Sequence, residues 1–334
     1  MPANARAETP RRESSLKRPT CRCSSAMSAG GSGTIMGDRG ACMHDRWKVT
    51  YHPTPTEPLA RVVREVEFLG VLQRSNTVER GNPTGRPIMF AHGFGCDQSM
   101  WRYVWPSFAD DRRVILFDHP GAGHVSVEEF DFDRYRSLGG YARDVVDICD
   151  ALDLQDVDFV GHSVSGMIGL LAGIERPDLF NSLVMVGPSP RYLNDDNGYV
   201  GGFEPADIEA LLDSMDSNYL GWSGQMAPVI MGNRDRPELG DELADTFCRA
   251  DPAISRHFAE VTFLSDNRDD LARLTVPSLI IQCSDDVIAP RSVGDYLHRN
   301  VPGSTLVQLN ATGHCPNLSA PAETTAVIQA FLAA

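Results

Sequence analysis

The ten residues Val157-Asp-Phe-Val-Gly-His-Ser163-Val-Ser-Gly166 restrict the fold of this chain more than any other stretch. Val157, Phe159 and Val160 form an apolar run that reads as a buried strand and stops at Gly161. Ser163 follows. Beyond it, Met167, Ile168, Leu170, Leu171 and Ile174 repeat at helical spacing among small residues. A strand, a tight turn with serine at its tip, and a helix are the context of a nucleophile elbow. A serine at the apex of a strained turn crowds the residues two before it and two after it. Gly161 fills the first place, where glycine tolerates backbone positions that other residues do not. The second place holds Ser165 where glycine is usual, so the pattern is G-x-S-x-S, with serine read as a small, tolerated variant.

The rest of the chain alternates in a way that suits such an elbow. Short apolar runs are expected as strands at Asn76–Glu79, Pro87–Ala91, Arg113–Asp118, Ser182–Gly187, Ser278–Gln282 and Leu306–Leu309. Helical patterns occupy Asp97–Phe108, with Asp97 as N-cap, Leu138–Leu152 and Ala322–Leu332. Apolar strands without polar alternation, separated by helices, imply a parallel sheet covered on both faces. One segment breaks the pattern. From Pro190 to about Asp266 no strand is expected, and helices are read at Pro205–Met215, Ser217–Met231, Glu242–Cys248 and Ala253–Leu264. Inserted between two sheet strands, this segment must cap the carboxyl edge, where open α/β sheets bind ligands. Phe203, Trp222, Met226 and Phe263 are its apolar set, suited to lining a pocket or to packing the cap on itself.

A serine hydroxyl needs a base to take its proton and an acid to hold that base. On this architecture the order is serine, then acid, then histidine. The run after the strand Ser278–Gln282 offers two acids, Asp285 and Asp286, and Thr312-Gly-His314 follows the last strand. Donors for a developing oxyanion would be the backbone N–H groups of Val164 and of Phe94, the latter in His92-Gly-Phe-Gly95. Gly121-x-Gly123 resembles a dinucleotide loop, but Ser126 takes its third glycine position and the residues up to Asp133 are acidic, so it is read as a turn. His119 and His124 lack helical ligand spacing, and no metal or other cofactor is expected.

Charge separates the chain in two. Residues 1–66 carry 11 Lys+Arg against 6 Asp+Glu, leaving 19 against 39 in the remainder of this 334-residue chain. The acidic body argues against nucleic acid and anionic membranes as partners. The first 66 residues, basic and rich in Ser, Pro and Gly, read as a disordered or targeting-like extension. Residues 67–334 are then the folded domain. The eight cysteines show no CxxC spacing, so free thiols in a reducing cytoplasm are expected, with Cys283 and Cys315 as small buried apolar groups. No apolar run reaches the ~20 residues of a membrane span.

Several further motifs point to a family. His92-Gly-Phe-Gly-Cys-Asp-Gln-Ser99, Gly161-His-Ser-Val164, Met185-Val-Gly-Pro-Ser-Pro190, Tyr192-Leu-Asn-Asp195, Gly201-Gly-Phe-Glu204 and Gly313-His-Cys-Pro316 resemble those of the RsbQ-type α/β-hydrolases. These are bacterial relatives of the plant strigolactone and karrikin receptors. The likeness runs from about residue 72 to the end. It implies the α/β-hydrolase fold, a mostly parallel central sheet flanked by helices, with a four-helix cap inserted before the late strands. It selects Asp286 over Asp285, giving Ser163, Asp286 and His314 as catalytic residues. The pocket positions it implies are Phe94, Tyr192, Phe203, Leu211, Trp222, Met226 and Phe263. His92 departs from the proline of the bacterial type, and Val164-Ser165-Gly166 is closer to the plant receptors.

The expected activity is hydrolysis of an ester or lactone of a small hydrophobic molecule. The resemblance adds a regulatory role in stress signalling through a sigma factor, with a PAS-domain phosphatase as partner. The competing reading is a ligand-sensing protein whose hydrolysis is slow or incidental. Dehalogenation needs a carboxylate nucleophile and is excluded by Ser163.

Overall fold

The computed structural model describes Phe68, residues 70–122 and residues 130–334. The expected extension over residues 1–66 and the turn positions Gly123, His124 and Ser126 lie outside the described residues.

In chain order the elements are β1 (Val78–Gly81), β2 (Arg86–Ala91), β3 (Arg112–Phe117), α1 (Leu138–Ala151), β4 (Val157–His162), α2 (Val164–Glu175) and β5 (Phe180–Val186). Three helices follow, α3 (Pro205–Met231), α4 (Pro237–Arg249) and α5 (Pro252–Phe263). The chain then returns to the sheet with β6 (Ser278–Asp285), α6 (Arg291–Asn300) and β7 (Thr305–Thr312), and closes with α7 (Pro316–Ser319) and α8 (Pro321–Leu332). The seven strands are ordered β1-β3-β2-β4-β5-β6-β7. Only β1 runs antiparallel to its neighbour; the other pairs are parallel. The expected fold class holds, a mostly parallel sheet with helices on both faces.

Side chains on each strand divide between two cores, because successive residues point to opposite faces. Met89, Ile115, Phe159, Leu183 and Ile280 pack on one face with α1 and α2. Ile88, Val114, Val160, Val184 and Leu279 pack on the other, in the apolar cluster that extends into the inserted helices. Both faces are covered, so the central strands read in sequence as continuous apolar runs.

The insertion is the expected four-helix cap. Helical hydrogen bonding carries on along α3, but Asn218 (φ −160°, ψ 80°) is not helical and splits it in two. Asn218 Oδ1 accepts from Gly221 N at 3.1 Å and so caps the second half. Gly232 ends it in the left-handed conformation (φ 66°), with its N–H on Pro228 O. An ion pair joins cap to body at Arg249–Asp97 (2.7 Å), and Arg191–Asp266 (2.8 Å) ties the two ends of the insertion together.

Three local expectations need correction. Residues 97–108 form two 3₁₀ turns, Gln98–Trp101 and Trp105–Phe108, instead of one helix, although Asp97 does cap the first through Ser99 N. Pro106 lacks an N–H, and the chain tightens to i→i−3 bonds on either side of it. The first strand begins at Val78, not Asn76, because Asn76 takes φ 42° and gives its side chain to Asp118. Helix α6, between β6 and β7, was not expected; its apolar Val293 and Leu297 are one turn apart and fully buried.

Candidate active site

Parallel strands bring their carboxyl ends to one edge, and the chemistry-bearing side chains gather there. Ser163 follows β4 directly, Asp286 follows β6, and His314 comes two residues after β7. His92 and His119 leave the same edge after β2 and β3. Ser163 sits at φ 57° and ψ −124°, conformational space that a non-glycine residue occupies only under constraint. The tightness of the turn accounts for Gly161: a Cβ there would lie 2.3 Å from the Ser165 carbonyl oxygen.

Ser163 Oγ lies 2.7 Å from His314 Nε2, and His314 Nδ1 lies 2.8 Å from Asp286 Oδ2. All three residues are buried. An ionised Asp286 has no proton to give, so Nδ1–H donates to it and Nε2 accepts from the serine hydroxyl. The other carboxylate oxygen, Oδ1, accepts from Ile288 N (2.8 Å) and Ala289 N (3.1 Å). Burial pushes the Asp286 carboxyl up, but the His314 imidazole and these two amides outweigh it and hold it below its ordinary value. Such a chain can withdraw a proton from a serine and return it to a leaving group. Val164 opens α2, so its N–H has no intrahelical acceptor. Phe94 lines the cavity beside Ser163.

That cavity is small and apolar, with a free volume of about 30 Å³, roughly one water molecule's share of the liquid. Of the expected pocket positions it is lined by Phe94, Tyr192 and Phe263. Phe203, Leu211, Trp222 and Met226 stand outside this lining. Phe203 packs behind Phe263 (ring centroids 6.1 Å apart), and Trp222 stands outside Phe94 and Phe247 (6.2 and 5.1 Å). Leu211 and Met226 are half-buried against the same apolar cluster. Phe247, Leu243 and Ile230 reach the cavity instead, and sequence reasoning missed them. Phe247 lies within an apolar helical pattern, but nothing local marks which face of that helix meets the elbow. Tyr192 is buried with its hydroxyl beside Ser163, close to hydrogen-bond geometry without reaching it. Cys283 and Cys315 are buried, with thiols pushed up by burial. Among the described residues no group of His, Cys, Asp and Glu could hold a metal ion, and no helix is long and apolar enough to cross a membrane.

Two more histidines are locked into the neutral form around the elbow. His162 is held down to about 3 by burial and by the neighbouring His314; its Nε2–H donates to the His314 carbonyl at 2.7 Å. Burial likewise holds His119 well below 6.5. In the unfolded chain both would take up protons near 6.5. The unfolded state therefore binds more protons as pH falls through that value, and the folded state loses ground until about pH 3. Between pH 6.5 and 5, where carboxylates barely titrate, His162 alone should cost about 1.6 kcal/mol of stability, and His119 adds to this in the same direction. Urea unfolding at pH 7, 6 and 5 measures this; an unchanged midpoint would mean that both are solvated or paired in the folded state.

Comparison with known proteins agrees with this architecture. Residues 88–327 match the family described as "Alpha/beta hydrolase family". The chain is 44% identical over 242 residues to strigolactone esterase D14 of Arabidopsis thaliana, covering 72% of this chain and 90% of that protein. It is 41% identical over 254 residues to karrikin insensitive 2 receptor CA of Petunia hybrida, covering 76% and 94%. A solved hydrolase from Oleispira antarctica superposes with a TM-score of 0.77 at 40% identity, covering 80% of this chain and 97% of its own. Given the matched span, the sheet order and the placement of the cap, this chain belongs to the alpha/beta hydrolase family.

Proposed function

We propose that the protein is a serine hydrolase that cleaves an ester or lactone of a small hydrophobic molecule. The observation that carries this reading is the buried chain Ser163–His314–Asp286 opening into an apolar cavity. Ser163 Oγ attacks the carbonyl while His314 Nε2 takes its proton and Asp286 holds the resulting imidazolium. The N–H groups of Phe94 and Val164 receive the oxyanion. Collapse expels the alcohol oxygen, which takes the proton from His314, and water then releases the acyl group by the same route in reverse. The apolar lining of Phe94, Phe247 and Phe263 selects for hydrophobic acyl or alcohol parts and excludes bulk water.

A second reading is favoured by the size of the cavity. About 30 Å³ is less than a short ester occupies, which favours ligand entry that moves cap side chains. Occupancy is then coupled to cap shape, which suits a ligand sensor that signals through a partner, as in the RsbQ-type arrangement with a PAS-domain phosphatase. The names of the plant relatives, esterase and receptor, span the same two roles.

Time courses with short-chain nitrophenyl esters and small lactones separate the two. Steady turnover favours the hydrolase. A single burst followed by near-silence favours the sensor. No hydrolysis of any ester or lactone, with a folded protein, would remove the hydrolase reading.

A further inference from the structure

Ser165 stands where the strand–serine–helix turn usually carries glycine, and it is completely buried. Its hydroxyl lies between two groups, 2.5 Å from the His92 carbonyl and 2.6 Å from His119 Nε2. The single hydroxyl proton goes to the His92 carbonyl, which can only accept, so His119 Nε2 must donate to Ser165 Oγ. The backbone N–H of His119 donates to His92 Nε2 at 2.9 Å. That places the His92 proton on Nδ1, which donates to the Gly93 carbonyl at 2.8 Å. The exits of β2 and β3 and the first turn of α2 are thus tied into one buried network.

Peptide planarity turns this network into a statement about the site. The Gly93 carbonyl and the Phe94 N–H belong to one trans peptide and point in opposite directions. Anchoring Gly93 C=O on His92 Nδ1 therefore sets the direction of the Phe94 N–H. Anchoring His92 C=O on Ser165 fastens the same loop to the helix turn that presents the Val164 N–H. We propose that Ser165 and His119 are positioning residues, which act through His92 to hold the amides of Phe94 and Val164 in register for one oxyanion. Neither touches the substrate. The proposal rests on reading Ser163 as the nucleophile.

The test compares kcat and KM for a short-chain nitrophenyl ester in Ser165→Ala, His119→Leu and His119→Gln. Removing an oxyanion donor outright costs 10²–10³ in kcat, so misaiming one should cost about ten- to thirtyfold in Ser165→Ala and His119→Leu. KM should change by less than about twofold, because substrate is not contacted. His119→Gln keeps an N–H that can reach Ser165 Oγ, and kcat should return to within about threefold of the unaltered protein. Ser165→Ala or His119→Leu with unaltered kcat would overturn the proposal. So would a fall in melting temperature with kcat intact, or a glutamine no better than leucine. Activity that survives in Ser163→Ala overturns the nucleophile reading and this proposal together, and is recognised by that variant alone.

Discussion

Ser163→Ala is expected to lower ester turnover by about 10³-fold or more while the protein stays folded. The substitution removes one oxygen, whose partner in the structure is His314 Nε2 at 2.7 Å. Without it His314 has no proton to take from the chain, and only the amides and the cavity remain to assist water. Stability should not fall, because the serine is not placed for stability. Its backbone is held at φ 57°, where a side chain is disfavoured whether it is serine or alanine. Ser163→Gly relieves that cost and should raise unfolding free energy by about 1 kcal/mol while being equally inactive. Steady-state rates on nitrophenyl butyrate and urea midpoints for both variants provide the check. Retained turnover in Ser163→Ala, or a glycine variant less stable than the serine, would contradict the reading of the turn as strained for activity.

The elbow was legible because its determinants are local. Gly161 must be small to clear the Ser165 carbonyl, β4 must be apolar because both sheet faces are covered, and Ser163 must come next. The order of acid and histidine was legible for a related reason: in a parallel sheet every strand ends at the same edge, so a residue just past a strand is placed by its strand. Residues set by contacts far apart in the chain were not legible. Ser165 and His119 meet across 46 positions, and nothing near either one marks the pairing, so Ser165 read as a mere tolerated variant. The order of rings along the cavity wall was not legible either, because it depends on which cap side chains lie nearest the elbow. Phe263 and Phe247 fill the layer nearest Ser163, leaving Phe203 and Trp222 behind them. The false helix over 97–108 shows the opposite error: its apolar spacing was helical, but Pro106 and the need to bring Met100 and Trp101 under the sheet edge decided for short 3₁₀ turns.

The choice between Asp285 and Asp286 is also one that spacing leaves open, and it carries the second large prediction. Pairing of β6 with β7 shifts register between Cys283 and Asp285. After that irregularity Asp285 is exposed, and Asp286 turns inward to His314. Asp286→Asn is nearly isosteric and its orientation is dictated by the backbone. The Ile288 and Ala289 amides require an oxygen opposite them, so an asparagine must keep its Oδ1 there and turn its NH₂ toward His314. Facing a donor, His314 Nδ1 has to accept, and its proton moves to Nε2. Nε2 then donates to Ser163 Oγ and can no longer receive the serine proton. The loss of kcat should be about 10³- to 10⁴-fold, the cost of holding such a histidine in the wrong tautomer. Asp285→Asn should stay within about twofold, since its side chain lies outside the chain of hydrogen bonds. Measuring kcat/KM for the two variants side by side decides the matter: equal losses, or a larger loss at Asp285, would remove Asp286 from the proposed mechanism.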